Sequence, residues 1–190
     1  MRIATRRAAG IDLGGWTRDL RDQVAHFFDD LAQEWHTRVS PERTALVEDA
    51  LTRGLRRGTP AGLAIEVGSG IGTYSPLLAS RFSGVLAVDL SFEMLRRAPQ
   101  TPAYRVQADG SRLPVGDASA AAVVLINAFL FPAEVARVLS SNGVIVWVNS
   151  SGEQTPIYLP IDELVATLPG QWSGVASRAG EGIWCVLQRS

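Results

Sequence analysis

Lysine is absent from this chain: all 18 basic residues are arginine. No lysine Schiff base, phosphate-loop lysine or tyrosine–lysine hydride-transfer pair can therefore form. Cysteine occurs once, as Cys185, which excludes an intrachain disulfide and suits a reducing compartment. Its setting, Ile183-Trp184-Cys185-Val186-Leu187, is an apolar run with no histidine nearby, so it reads as core rather than nucleophile. Only two histidines are present, His26 and His36, and with one cysteine they show no metal-ligand spacing, so no metal is expected. An excess of charge of one sign is also missing. The net charge is −1, which gives a nucleic-acid partner no electrostatic basis. No apolar run approaches the roughly 20 residues of a membrane span. No signal-peptide stretch follows Arg2, Arg6 and Arg7. A soluble, cytoplasmic protein is expected.

What is present is core-forming material. In 190 residues, 46% are hydrophobic and 19% charged, which suits one ordered domain. Residues 1–14 read as a loose arm. From Trp16 to about Arg38, Leu20, Val24, Phe27, Phe28, Leu31 and Trp35 recur at helical spacing. Ser40-Pro41 opens a second helix, with Leu46, Val47, Ala50, Leu51 and Leu55 as its buried stripe and Gly58 as its stop. After Thr59-Pro60, short apolar runs alternate with helices: strands at 63–67, 85–88, 103–107, 121–126 and 144–148, and helices through about Arg81, over 91–97 and over 132–139. Such alternation predicts an α/β domain with a parallel sheet. Near the end, strands at 172–178 and 183–188 are separated by only four residues. They must form a hairpin, so one of them runs antiparallel to the rest. The expected division is an N-terminal arm and lid over 1–58 and a core over 59–190.

Chemistry is concentrated in Glu66-Val67-Gly68-Ser69-Gly70-Ile71-Gly72, between the first strand and a helix. Its glycines permit a sharp turn and close approach of a ligand, and the helix start favours an electron-rich group. Thr73 stands where the dinucleotide pattern G-x-G-x-x-G would place its third glycine, and Glu66 would repel a pyrophosphate. A nucleoside cofactor without a diphosphate fits better. Asp89 follows the second strand, about 20 residues past the first glycine, where a carboxylate accepts hydrogen bonds from ribose hydroxyls. Asp109-Gly110 follows the third strand and offers a carboxylate to an exocyclic amine.

With these residues the chain resembles the class I S-adenosylmethionine-dependent methyltransferases. Glu66 to Gly72 is similar to their first motif, Val88-Asp89-Leu90-Ser91 with Met94 to the second, and Ala108-Asp109-Gly110 through Leu113-Pro114 to the third. Phe131 to Gly143 resembles the segment leading to their fifth strand. His26 to Trp35 resembles the start of the quinone-biosynthesis group of small-molecule enzymes (types 11 and 25). The resemblance implies a Rossmann-like three-layer α/β/α sandwich whose seven-stranded sheet has the order 3-2-1-4-5-7-6, with an antiparallel C-terminal strand. It implies S-adenosyl-L-methionine as cofactor, with Glu66, Gly68, Ser69, Gly70, Gly72 and Asp89 at the methionine and ribose parts. Leu90, Met94, Asp109 and Gly110 would then surround the adenine. The chain departs from the pattern in having Ala120-Ala121-Ala122 where an acidic residue often precedes strand four. Its connection after that strand, from Asn127 to Phe131, is short, so acceptor contacts are expected from elsewhere, with the N-terminal helices as lid.

Methyl transfer from a sulfonium needs chiefly an in-line arrangement and exclusion of water. His26 and His36 project about 80° apart on a continuous helix. His36 is the candidate general base, and Asn127, at the end of strand four, a candidate cofactor contact. Asn149-Ser150-Ser151 is placed to polarise an acceptor oxygen, and Trp16 and Trp35 to line an apolar pocket. The expected function is methylation of a small, partly apolar molecule. The alternatives are a non-catalytic nucleoside-binding protein and an NAD-dependent reductase, the latter opposed by the missing lysine. A nucleic-acid methyltransferase would want an Asn-Pro-Pro-aromatic motif at Asn127, which is absent. Sequence leaves the oligomeric state open.

Overall fold

Seven strands form one sheet in the order β3-β2-β1-β4-β5-β7-β6. They are β1 (Leu63–Val67), β2 (Gly84–Asp89), β3 (Tyr104–Gln107), β4 (Ala120–Ile126), β5 (Leu139–Asn149), β6 (Trp172–Ala179) and β7 (Gly182–Arg189). The computed structural model describes all residues except 56, 57 and 59. The expected domain boundary at Thr59 thus lies outside the described residues. β7 pairs antiparallel with both β5 and β6, while the pairs among β1 to β5 are parallel. The hairpin is tighter than the sequence suggested: Ala179 pairs with Gly182, leaving Gly180-Glu181 as the turn, with Gly180 at φ +57°.

Every residue of β4 is buried, as its unbroken apolar run requires for a strand covered on both faces. Strand alternation sorts the core into two layers. Ile65, Val123, Leu125, Ile145 and Trp147 face one side, with Val135 and Val138 of α6 (Pro132–Val138) and Leu164 of α7 (Ile161–Thr167). Ala64, Ala122, Val124, Val146 and Trp184 face the other, against Leu46, Val47, Ala50 and Leu51 of α3 (Pro41–Gly54). Leu78 of α4 (Ser75–Ala79), a helix shorter than expected, joins them. Cys185 is fully buried, and burial pushes its thiol up to about 12.

α3 begins as its sequence dictates, with the Ser40 hydroxyl accepting from the Arg43 N–H and Pro41 in the first turn. It packs on the sheet through β7. Adding a Cβ to Gly54 would bring it 2.2 Å from Val186, and adding one to Gly182 would bring it equally near Leu46, so helix and β7 are in intimate contact.

The N-terminus also differs from expectation. The supposed arm contains α1 (Arg2–Ala8), whose Ala4, Thr5 and Ala8 are buried. Arg6 pairs with Asp12 at 3.0 Å and with Glu163 at 2.5 Å, fastening it beside α7. Small alanines let this helix lie close to the domain, a signal too weak for periodicity in so short a stretch. The single long helix expected from Trp16 to Arg38 is α2 (Arg18–Leu31), capped by Thr17, then a separate 3-10 turn over Trp35–Arg38. Trp16 precedes the cap and Trp35 begins the 3-10 turn, so both stand outside α2. β5 likewise starts earlier than expected, at Leu139, because Leu139 pairs with Ala120 before an irregularity restores register at Val144.

Candidate functional site

A cavity of about 290 Å³ lies at the C-terminal ends of β1, β2 and β4, where ligands bind in open parallel sheets. Its floor is the loop after β1. Gly68, Gly70 and Gly72 all hold positive φ, at +69°, +56° and +72°. At Gly70 an added Cβ would sit 3.3 Å from the Trp35 indole nitrogen and 3.9 Å from the Met94 sulfur, so a side chain there would fill the cradle. The Ser69 hydroxyl lines the cavity, buried and without a hydrogen-bond partner among the described residues.

Two carboxylates underlie this loop. Glu66, on β1, accepts a 2.5 Å hydrogen bond from the Ser75 hydroxyl, and burial pushes its carboxyl up to about 7, with Asp89 nearby adding to the effect. Asp89, at the end of β2, accepts from Gly70 N–H at 2.7 Å and from Ser91 N–H at 2.8 Å. Burial raises it to about 6 despite those bonds, and the Asp29 carboxylate contributes to the rise. Each Asp89 oxygen keeps a further lone pair toward the cavity. A buried pair of acids held this way suits a ligand that brings hydroxyl and cationic donors.

The third acid, Asp109, accepts from Ser111 N–H at 2.8 Å and from the Trp16 indole N–H, which stands 3.1 Å from both carboxylate oxygens. Gly110 is required beside it: an added Cβ would meet the Phe131 ring at 2.9 Å. Asn127, following β4, holds φ +51°. Its amide donates to the Ser150 hydroxyl at 2.9 Å and accepts from Ser150 N–H at 2.8 Å, joining the ends of β4 and β5 at the rim.

The roof is α2. Val24, Phe27, Phe28 and Leu31 of its apolar stripe, and Trp35 beyond it, line the cavity, and Phe28 meets Trp35 edge-on at 5.8 Å. Asp29 anchors this roof by accepting from the Ser91 hydroxyl and from Glu93 N–H at the start of α5 (Phe92–Arg97).

Of the residues singled out from the sequence, Glu66, Gly68, Ser69, Gly70, Asp89, Leu90, Met94, Asp109, Gly110 and Asn127 line one cavity. Gly72 does not line it; it makes the turn into α4, where a Cβ would crowd the Ser75 hydroxyl at 3.3 Å. His36 is exposed on the 3-10 turn, its Nδ1 3.2 Å from the Gln33 carbonyl oxygen, and stands outside the cavity. Its choice as a base rested on a place near the end of a helix that in fact stops at Leu31. His26 is exposed as well. The short connection after β4 lines the cavity through Ala128, Phe129 and Phe131. Sequence reasoning missed Asp29, Arg43, Thr73 and Tyr74. Asp29 lies within the segment already noted, but Arg43, in the first turn of α3, and Tyr74, the residue before α4, come to one cavity from separate elements and carry no local signal.

Residues 65–147 match the model of a family described as a methyltransferase domain. That stretch runs from β1 into β5, and the match together with the sheet order supports a class I, S-adenosylmethionine-dependent methyltransferase domain. No curated protein matches the sequence. Among solved structures, DhpI in complex with SAH superposes with a TM-score of 0.71 at 19% identity, over 92% of this chain and 98% of that one. A possible histamine N-methyltransferase of Thermotoga maritima gives 0.64 at 14% identity, over 87% and 99%. A putative methyltransferase of Methanococcus maripaludis gives 0.59 at 18%, over 94% and 98%. At these identities the likeness is one of fold. Among the described residues, no helix is long and apolar enough to cross a membrane.

Proposed function

We propose that this chain transfers a methyl group from S-adenosylmethionine to a small, partly apolar acceptor. The observation that carries the reading is one cavity with the Glu66–Gly70 loop and Asp89 as floor and the apolar stripe of α2 as roof. The bound cofactor supplies an electrophilic methyl group on a sulfonium. Asp89 holds the ribose hydroxyls, Asp109 and Gly110 the adenine edge, and Ser69 finds in the cofactor the partner it lacks. Glu66 and Arg43, both lining the cavity and both close enough to Tyr74 to perturb its hydroxyl, in opposite directions, suit the ammonium and carboxylate of an amino acid.

On the acceptor side the chain offers Ser150, Ser151 and Thr155 as hydroxyls among Phe27, Phe28, Phe129 and Ile157. No histidine lines the cavity among the described residues, and its three carboxylates all lie toward the cofactor. Rate enhancement is therefore assigned to alignment of the acceptor lone pair with the methyl group and to exclusion of water by α2.

Calorimetric titration with S-adenosylmethionine, S-adenosylhomocysteine and NADH tests the cofactor assignment. Both sulfur nucleosides should bind and NADH should not. Asp89→Ala, losing two charged hydrogen bonds of roughly 1.5 kcal/mol or more each, should weaken binding at least about 100-fold. Preference for NADH would overturn the reading. Binding with no methyl transfer across a broad panel of small acceptors would favour a nucleoside-binding protein without catalysis.

A further inference from the structure

We infer that Trp16 is a specificity-determining residue of the cofactor site, acting through Asp109: it fixes the carboxylate so that only an N–H donor is accepted at the adenine edge. This rests on the cofactor reading above.

The argument is one of lone pairs. A carboxylate has about four acceptor sites. At Asp109, Oδ1 accepts from Ser111 N–H at 2.8 Å, and the Trp16 indole N–H is shared between Oδ1 and Oδ2 at 3.1 Å each. Oδ1 is thereby filled, while Oδ2 keeps one position for a further donor. The indole itself cannot rotate away. It packs 5.2 Å from Phe131, edge-on, and 5.4 Å from Phe129, and Phe131 in turn closes over Gly110.

Trp16 and Asp109 also share a second role. Both line the main cavity, and both line a shallow polar depression on its outer side with Arg18, Arg21 and Ser111. The pair is the wall between the two. Without the indole N–H, Asp109 would be free to turn outward to Arg21 or water. With it, the carboxylate stays an acceptor facing inward. An adenine amine satisfies that acceptor, whereas the C6 carbonyl of a hypoxanthine base would set two acceptors against each other.

The test compares binding of S-adenosylhomocysteine and S-inosylhomocysteine by calorimetry, in wild type, Trp16→Phe, Trp16→His and Asp109→Asn. Wild type should prefer the adenosyl ligand. Trp16→Phe keeps the ring and loses the N–H, and should reduce that preference about tenfold, the worth of one charge-assisted hydrogen bond. Trp16→His retains a ring N–H and should restore part of it. Asp109→Asn, able to donate as well as accept, should abolish it. A Trp16→Phe protein that weakens both ligands equally, or leaves the preference intact, overturns the inference and makes Trp16 a packing residue. Wild-type binding without preference overturns it too. Failure of wild type to bind either ligand would instead remove the cofactor reading on which it rests. Far-UV circular dichroism of each variant separates misfolding from lost recognition, with Trp16→His as the second probe should Trp16→Phe not fold.

Discussion

Replacing Glu66 by glutamine should stabilise the ligand-free protein at alkaline pH while weakening its cofactor site. Glu66 is almost fully buried and its carboxyl titrates near 7 rather than 4.5, chiefly because burial disfavours the charge. The native state therefore holds a proton that the unfolded chain has released between those two values. More protons bound in the native state means stability that falls as pH rises through the interval, and the full penalty above about 7. The displacement corresponds to about 3 kcal/mol. Glutamine is neutral at every pH and still accepts from the Ser75 hydroxyl, so it escapes the penalty. Urea unfolding of the two proteins at pH 5, 6, 7 and 8 should give converging curves at the acid end. At pH 8 the glutamine variant should have a midpoint roughly 1–2 M higher, for a slope near 2 kcal/mol per M. The charge is retained, on this reasoning, because a cationic ligand group needs it, so S-adenosylhomocysteine should bind the variant at least about tenfold more weakly. Parallel pH profiles, or a variant less stable than wild type at pH 8, would refute the argument that burial governs this carboxyl.

Arg43→Met should weaken S-adenosylhomocysteine by about tenfold or more and leave 5′-methylthioadenosine, which lacks the amino acid, unchanged in calorimetry. Gly70→Ala forces a side chain to φ +56° against Trp35 and should cost about 1–2 kcal/mol of stability in urea, together with most cofactor affinity. Asp29→Ala removes the acceptor shared by Ser91 and Glu93, and hydrogen exchange should show α2 amides opening faster while β4 amides hold. Cys185 should resist a thiol reagent in the native protein and react on unfolding, since its thiol is buried and titrates near 12.

Much of the fold was written in patterns of period two and 3.6. The fully apolar β4, the Ser40-Pro41 start of α3 and the four-residue gap before β7 each stated their structure locally, because burial, capping and chain reach are local constraints. The cavity floor was legible for the same reason: Glu66 to Gly70 and Asp89 occupy strand ends, and strand ends are visible where an apolar run stops. The sequence by itself therefore determined the sheet, its glycine loop and the acids beneath it. Tertiary structure alone decided what faces them. The periodicity of residues 16–38 announced an apolar stripe without saying whether it met the sheet or a ligand, and the break after Leu31 turned Trp35 to Gly70 and His36 to solvent. Arg43 and Tyr74 reach the cavity, and Trp16 meets Asp109 across 93 positions of sequence, only because separate elements pack together. Such contacts depend on distances between elements, which no single stretch of residues encodes.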